Sequence, residues 1–325
     1  MNSPLFRRVL VVDDEPSIIS AVRRELCTPP LGRYRYEVEG FTEPAKALER
    51  ARSQAFDAVI SDYRMPGMSG LDFLKALAPI QPDCARIVLS GQTDMAALIR
   101  MVNETHIYRF IPKPWHDYFL KSSVAQAIEF GGALRESRRL AGLVRHRGIA
   151  VPRLLGDAPE EILVVDGDLA SASSLARALS SRTETDNLFA AIRFEMAHVS
   201  DSALDASRTR VTTAASAREA LKLAETRNFS CVLADFQLPD MSGVEFLQQF
   251  AERQADCTRI LVGGPVAQNE LIDAVDVAHI FGFVAKPWQD YELKACVAQA
   301  LAHRRVALEN LMLAEMVKKA GGGAV

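Results

Sequence analysis

Cysteine is scarce and unpatterned in this sequence. The 325 residues hold five, at positions 27, 84, 231, 257 and 296, an odd number without a CxxC spacing. That argues against a disulfide framework or a cysteine metal site, and predicts reduced thiols in a cytoplasmic protein. Charge of either sign is also missing in excess. A formal net charge of −3 gives no overall pull toward nucleic acid or anionic lipid, so neither is expected as a partner. No window approaches the ~20 apolar residues of a membrane helix. The start, Met1 to Arg8, runs straight into a strand-like segment without the apolar stretch of a signal peptide. What is present is apolar substance, 49% of the chain, enough for two domains of about 150 residues with full cores.

The first half alternates two periods. Apolar or β-branched runs at 8–12, 34–41, 56–61, 86–89 and 107–111 read as short strands. Helical spacing appears at 18–26, 44–53, 71–78, 95–103 and from Tyr118 onward. Five strands alternating with five helices predict an α/β fold, a doubly wound five-stranded parallel sheet of flavodoxin-like type. The strand ends carry chemistry. Asp13, Asp14 and Glu15 follow the first strand, Asp62 ends the third, Ser90 the fourth, and Lys113 follows the fifth. A helix N-terminus alone favours acids through its dipole. Adjacent carboxylates beside a lysine and a hydroxyl read more specifically as a site for Mg²⁺ and a phosphoryl group. Carboxylate oxygens suit Mg²⁺, and a lysine and a serine hydroxyl suit phosphoryl oxygens. Asp62 is then a candidate nucleophile, forming an acyl phosphate.

On these residues the first half resembles a response-regulator receiver domain, over roughly residues 7 to 130. Asp13-Asp14, Asp62, Pro66, Gly70, Ser90, Phe110 and Lys113-Pro114 match the family's motif positions in order. The resemblance implies that Asp62 accepts the phosphoryl group from a histidine kinase or phosphotransfer protein, and that Lys113 and Ser90 contact it. It implies Mg²⁺ held by Asp14 and Asp62 directly, by Asp13 through water, and by the backbone carbonyl of Arg64. Ser90 and Phe110 would be the switch pair and the Lys113-Pro114 bond cis. Tyr108 to Trp115 is similar in wording to receivers attached to HD-GYP phosphodiesterases.

The second half repeats the first. Asp166 stands 153 residues after Asp13, while Asp235 and Lys286 stand 173 residues after Asp62 and Lys113. The second copy therefore carries 20 more residues, placed near 182–207, between its first helix and second strand. Cys84/Cys257, His106/His279, Trp115/Trp288 and Tyr118/Tyr291 all pair at 173, which marks an internal duplication. Two site residues are lost: Asp14 becomes Gly167 and Ser90 becomes Gly263. Asp166, Asp168, Asp235 and Lys286 are left as a degenerate second site, with Lys286 expected to pair with Asp235. This copy is expected to be a poor phosphoacceptor, its Mg²⁺ binding doubtful and its role that of a docking or dimerising pseudo-receiver. The inserted Leu188 to His198 stretch reads as a longer first helix with an apolar face, either packed on its own domain or offered to a partner. His198 is read as an ordinary helical histidine, and His106 and His279 as structural.

The expected domains are 1–130, a helical basic linker 131–158, 159–300, and a C-terminal helix with a flexible tail over 301–325. Gly131-Gly132 is expected to bend the fifth helix. Arg135, Arg138, Arg139, Arg145 and Arg147 face a single acid, Glu136, and lack interleaved aromatics, so they read as a solvated linker helix. The tail carries an apolar stripe, Leu308, Leu311, Leu313 and Met316, suited to pairing with a second chain or with the linker helix. No enzymatic output segment is legible. The expected function is a non-enzymatic tandem-receiver response regulator that signals through a downstream protein, with homodimer formation through the fifth or C-terminal helices as one route. The alternative is the input module of a cyclic-di-GMP enzyme, of the diguanylate cyclase or HD-GYP type.

Overall fold

The computed structural model describes residues 5–28, 34–91, 107–115, 117–148, 159–180, 209–264 and 278–321. The chain divides into two compact units, Met1–Arg135 and Glu136–Val325. In the first, β1 (Leu5–Val12), α1 (Pro16–Cys27), β2 (Tyr34–Phe41), α2 (Pro44–Ser53), β3 (Ala58–Asp62), α3 (Gly70–Leu77), β4 (Ala85–Ser90) and β5 (Arg109–Pro112) alternate as the periodicity predicts. All strand pairs are parallel, in the order β2-β1-β3-β4-β5. Such sheets are covered on both faces, so their central strands are apolar without alternation. Val9 to Val12 and Ala58 to Ile60 are accordingly buried. Proline stands at the first turn of α1 and of α2, where its missing N–H is not needed.

The second unit repeats this plan. It contains β6 (Glu160–Val165), α5 (Leu169–Ser180), β7 (Thr209–Ala214), α6 (Ala217–Ala224), β8 (Cys231–Asp235), α7 (Gly243–Arg253), β9 (Thr258–Gly263), β10 (Gly282–Ala285) and α8 (Asp290–Gly321). Its order is β7-β6-β8-β9-β10, again parallel throughout. One face buries Phe229, Phe246 and Phe250 against Val232 and Leu261, the other Ile162, Val164 and Leu233 against Leu293 and Val297. In both units a tight turn brings a helix start back to the acid-bearing strand. Ser69 and Ser242 cap α3 and α7 by accepting from Asp72 and Glu245 amides. A Cβ at Gly70 or Gly243 would collide with the carbonyl oxygen of Asp62 or Asp235, so only glycine fits.

Helix α4 (Asp117–His146) runs on through Gly131-Gly132 without a break. Its hydrogen-bond ladder outweighs the ~1 kcal/mol per glycine that propensity opposes. The basic stretch is the second half of this same helix. Beyond Arg135 it packs against the far end of α8. Leu140, Ala141, Val144 and Leu313 form a small buried cluster, flanked by Met316 and Val317. Arg147 Nη1 donates to the Val317 carbonyl oxygen at 2.5 Å, placing a cation at the negative end of α8. Of the two pairings expected for the tail stripe, the structure contains the one with the linker helix. The 95–103 helix, the 182–207 insertion with its Leu188–His198 stretch, His106 and His198 lie outside the described residues.

Candidate functional site

The C-terminal sheet edge of the first unit collects Asp13, Asp62, Ser90 and Lys113. Asp13 follows β1, Asp62 and Ser90 close β3 and β4, and Lys113 follows β5. Lys113 Nζ lies 2.7 Å from Asp13 Oδ2 and 2.6 Å from Asp62 Oδ1. The other carboxylate oxygens are taken by local amides: Glu15 N donates to Asp13 Oδ1 (3.0 Å) and Arg64 N to Asp62 Oδ2 (2.8 Å). Lys113 N donates to the Ser90 carbonyl at 2.8 Å, which ties the lysine to the end of β4. Ser90 is buried and Phe110 half-buried, paired in register with Val88. The Lys113-Pro114 peptide is cis, as is its counterpart Lys286-Pro287.

Asp13 is 1% exposed and Asp62 6%. Burial pushes the Asp13 carboxyl above its usual range, against the lowering effect of the Lys113 hydrogen bond. For Lys113, burial disfavours the ammonium, but bonds to Asp13 and Asp62 outweigh it and raise the pKa above the usual lysine value. One ammonium between two buried carboxylates leaves a negative charge uncompensated. The oxygen donors and that residual charge fit a hard divalent cation. Asp14 is exposed, and among the described residues no group of three His, Cys, Asp or Glu side chains is placed to hold a metal ion. The structure thus brings Asp13, Asp62 and Lys113 together and leaves Asp14 at the rim.

The second unit keeps the ion pairs. Lys286 Nζ lies 2.9 Å from Asp166 Oδ2 and 3.0 Å from Asp235 Oδ1, so the expected pairing with Asp235 extends to Asp166. Asp168 turns away from this cluster: its Oδ1 accepts from Ala170 N at the start of α5 (2.9 Å), and its own amide donates to Asp166 Oδ1. The hydroxyl of Ser171 donates to Asp166 Oδ2 at 2.5 Å. Sequence reasoning missed Ser171, although the 153-residue offset sets it against Ile18, a hydroxyl where the first copy has an apolar side chain. It also missed Glu25, a buried acid on α1 that accepts from Trp115 Nε1 at 2.7 Å and so braces the segment just after Lys113. His279 adopts a left-handed φ of 47°, and its side chain is exposed.

Two parallel α/β units, each with a buried acid–lysine cluster at the carboxyl edge of its sheet, define a receiver-type protein. The sequence comparison agrees. The response regulator receiver domain model matches residues 9–125 and 193–298, well over half of the chain, and the chain belongs to that family. The hydrogenase transcriptional regulatory protein HoxA of Cupriavidus necator is 39% identical over 132 residues, covering 41% of this chain and 26% of that protein. The C4-dicarboxylate transport transcriptional regulatory protein DctD of Pseudomonas aeruginosa is 28% identical over 150 residues, covering 46% and 31%. The chain thus spans about a quarter to a third of the length of these curated relatives. Among solved structures, the receiver domain of an HD domain-containing protein from Pseudomonas fluorescens Pf-5 is 28% identical, with a TM-score of 0.36, covering 41% of this chain and 99% of that one. The chain is a two-receiver protein of two-component signal transduction. Among the described residues no helix is long and apolar enough to cross a membrane.

Proposed function

We propose that the first unit is the phosphoacceptor and the second a pseudo-receiver. The observation that carries this is the asymmetry of the two clusters. The first retains Asp14 and Ser90 around an Asp13–Lys113–Asp62 core; the second has Gly167 and Gly263 at those places. In this reading a phosphohistidine of a kinase or phosphotransfer protein donates to an Asp62 carboxylate oxygen. The P–N bond breaks, the P–O bond forms, and the leaving imidazole takes up a proton. Lys113 and the Ser90 hydroxyl hold phosphoryl oxygens, and Phe110 moves with Ser90. A Mg²⁺ ion held by Asp13, Asp14, Asp62 and the Arg64 carbonyl would supply charge neutralisation. Asp166, Asp235 and Lys286 form the non-signalling counterpart, with the Asp168 carboxylate given to the start of α5. The domains are 1–130, the linker 131–158, 159–300 and the extension 301–325, and the chain acts in the cytoplasm through a downstream protein. The curated relatives are longer transcriptional regulators, which favours a second reading of this chain as the input module of a longer protein; the length of the protein expressed from its own gene decides between the two.

Beryllofluoride with Mg²⁺, an acyl-phosphate mimic, tests the assignment on the full chain by light scattering after size exclusion. Asp62→Asn is expected to abolish the change in mass or shape, and Asp235→Asn to leave it intact. A response that survives Asp62→Asn overturns the reading.

A further inference from the structure

The second unit has more than two missing side chains. The loop after its acid lies close to the site and is fastened there by a side chain that the first unit lacks. A Cβ at Gly263 would stand 2.9 Å from Phe236 Cβ, closer than real Cβ atoms approach. A Cβ at Gly167 would stand 3.0 Å from Pro239 Cδ. Phe236 and Pro239 both belong to the segment between β8 and α7. One loop therefore crowds both positions at which the first unit keeps Asp14 and Ser90. The next residue, Asp240, reaches across to the start of α6. Its Oδ1 accepts from Ala217 N (3.0 Å) and its Oδ2 from Arg218 N (2.9 Å). These amides are otherwise unpartnered at a helix start, and the carboxylate meets the positive end of the dipole. The first-unit counterpart is Gly67, with a φ of 79° and nothing within 4 Å of an added Cβ. Within the loop, Gln237 and Ser242 form an antiparallel bridge. On the opposite side Ser171 and Lys286 share Asp166 Oδ2.

We propose that the segment Phe236–Asp240 is a strap, tethered by Asp240 to α6, that holds the second unit in one fixed conformation whatever happens at Asp235. The Asp235 side chain stays 17% exposed, so the strap restrains a change of shape rather than access. This rests on the pseudo-receiver reading and deepens it: the second unit does not switch because its loop cannot lift from β9. A serine at Gly263 therefore does not restore switching, since Phe236 fills its place.

The test is hydrogen exchange on the full chain, following peptides over 231–243 and 258–264. The wild-type peptides are expected to exchange identically with and without Mg²⁺ and beryllofluoride. Asp240→Gly, which restores the first unit's residue, removes two charge-assisted bonds and is expected to speed exchange over 236–243 by about tenfold or more. Asp240→Asn, which keeps one acceptor oxygen, is expected to fall between, and unchanged exchange over 162–165 shows that the sheet remains folded. Asp240→Gly exchanging like the wild type overturns the strap. Labelling of the Asp62→Asn protein at Asp235 by acetyl phosphate would instead overturn the pseudo-receiver reading, so the two failures are told apart.

Discussion

Full-length protein carrying Asp62→Asn is expected to take no label from acetyl phosphate in Mg²⁺, and Lys113→Ala to take it roughly 100-fold more slowly than the wild type. The first follows because an amide offers no oxygen nucleophile for an acyl phosphate. The second follows from geometry. Lys113 Nζ is already 2.6 Å from Asp62 Oδ1, so it meets the charge that builds on the transferring group without first being recruited. Removing one pre-placed donor from such a site costs about 10²–10³ in rate. Asp235→Asn is expected to leave total labelling near the wild-type level. Phosphate-affinity gels on the three variants read all of this, and equal labelling of Asp62→Asn removes the assignment.

Lys113→Ala also changes stability, with a sign that pH reveals. The raised Lys113 pKa means that its contribution is fully present below the ordinary lysine value and is lost only as pH rises through the higher folded value. At pH 7 the contribution is in force, so the variant loses it. Asp13, already raised by burial, is left without its cation and is pushed higher still. An acid raised in the folded state favours folding below its unfolded pKa and loses that advantage as pH rises through the folded value. The lost Lys113 contribution is common to pH 4 and pH 7, and the cost at Asp13 adds to it as pH rises, so the destabilisation of Lys113→Ala should grow from pH 4 toward pH 7. Breaking a fully buried pair costs about 3–5 kcal/mol, and the partial exposure of Lys113 brings the expected loss to roughly 2 kcal/mol at pH 7. Denaturant melts at both pH values check it; a loss that is larger at pH 4 contradicts the linkage.

The sheets were legible because parallel strands are buried on both faces and read as uninterrupted apolar runs, as at Val9 to Val12 and Cys231 to Ala234. The site was legible because its residues sit at strand ends, where a change from apolar to charged is abrupt. Asp13, Asp62 and Lys113 meet as that pattern implies. Asp14 does not join them in the structure, because adjacent residues leaving a strand point to opposite sides. Ser171 and Asp240 escaped notice for a different reason. A serine and an aspartate near helix starts are ordinary caps in sequence terms. Only the fold shows that Ser171 turns to Asp166 and that Asp240 caps a helix other than the one it precedes. The continuity of α4 was hidden by Gly131-Gly132, where local propensity and the packing of a long helix disagree.

Leu313→Asp is expected to detach the end of α8 from α4. Leu313 and Val144 are fully buried, and Leu140 and Ala141 nearly so, in a small cluster shared by α4 and α8. A carboxylate placed among these apolar side chains gives up its hydration for no polar partner within the cluster. Even Leu→Ala in a full core costs about 2–5 kcal/mol, more than an isolated pair of helix ends can hold in reserve. Amide protection over 137–147 and 306–319 should therefore fall to that of a fraying helix, while β6 and β8 keep theirs. Leu311, 60% exposed on the same helix, supplies the control: Leu311→Asp should change protection little.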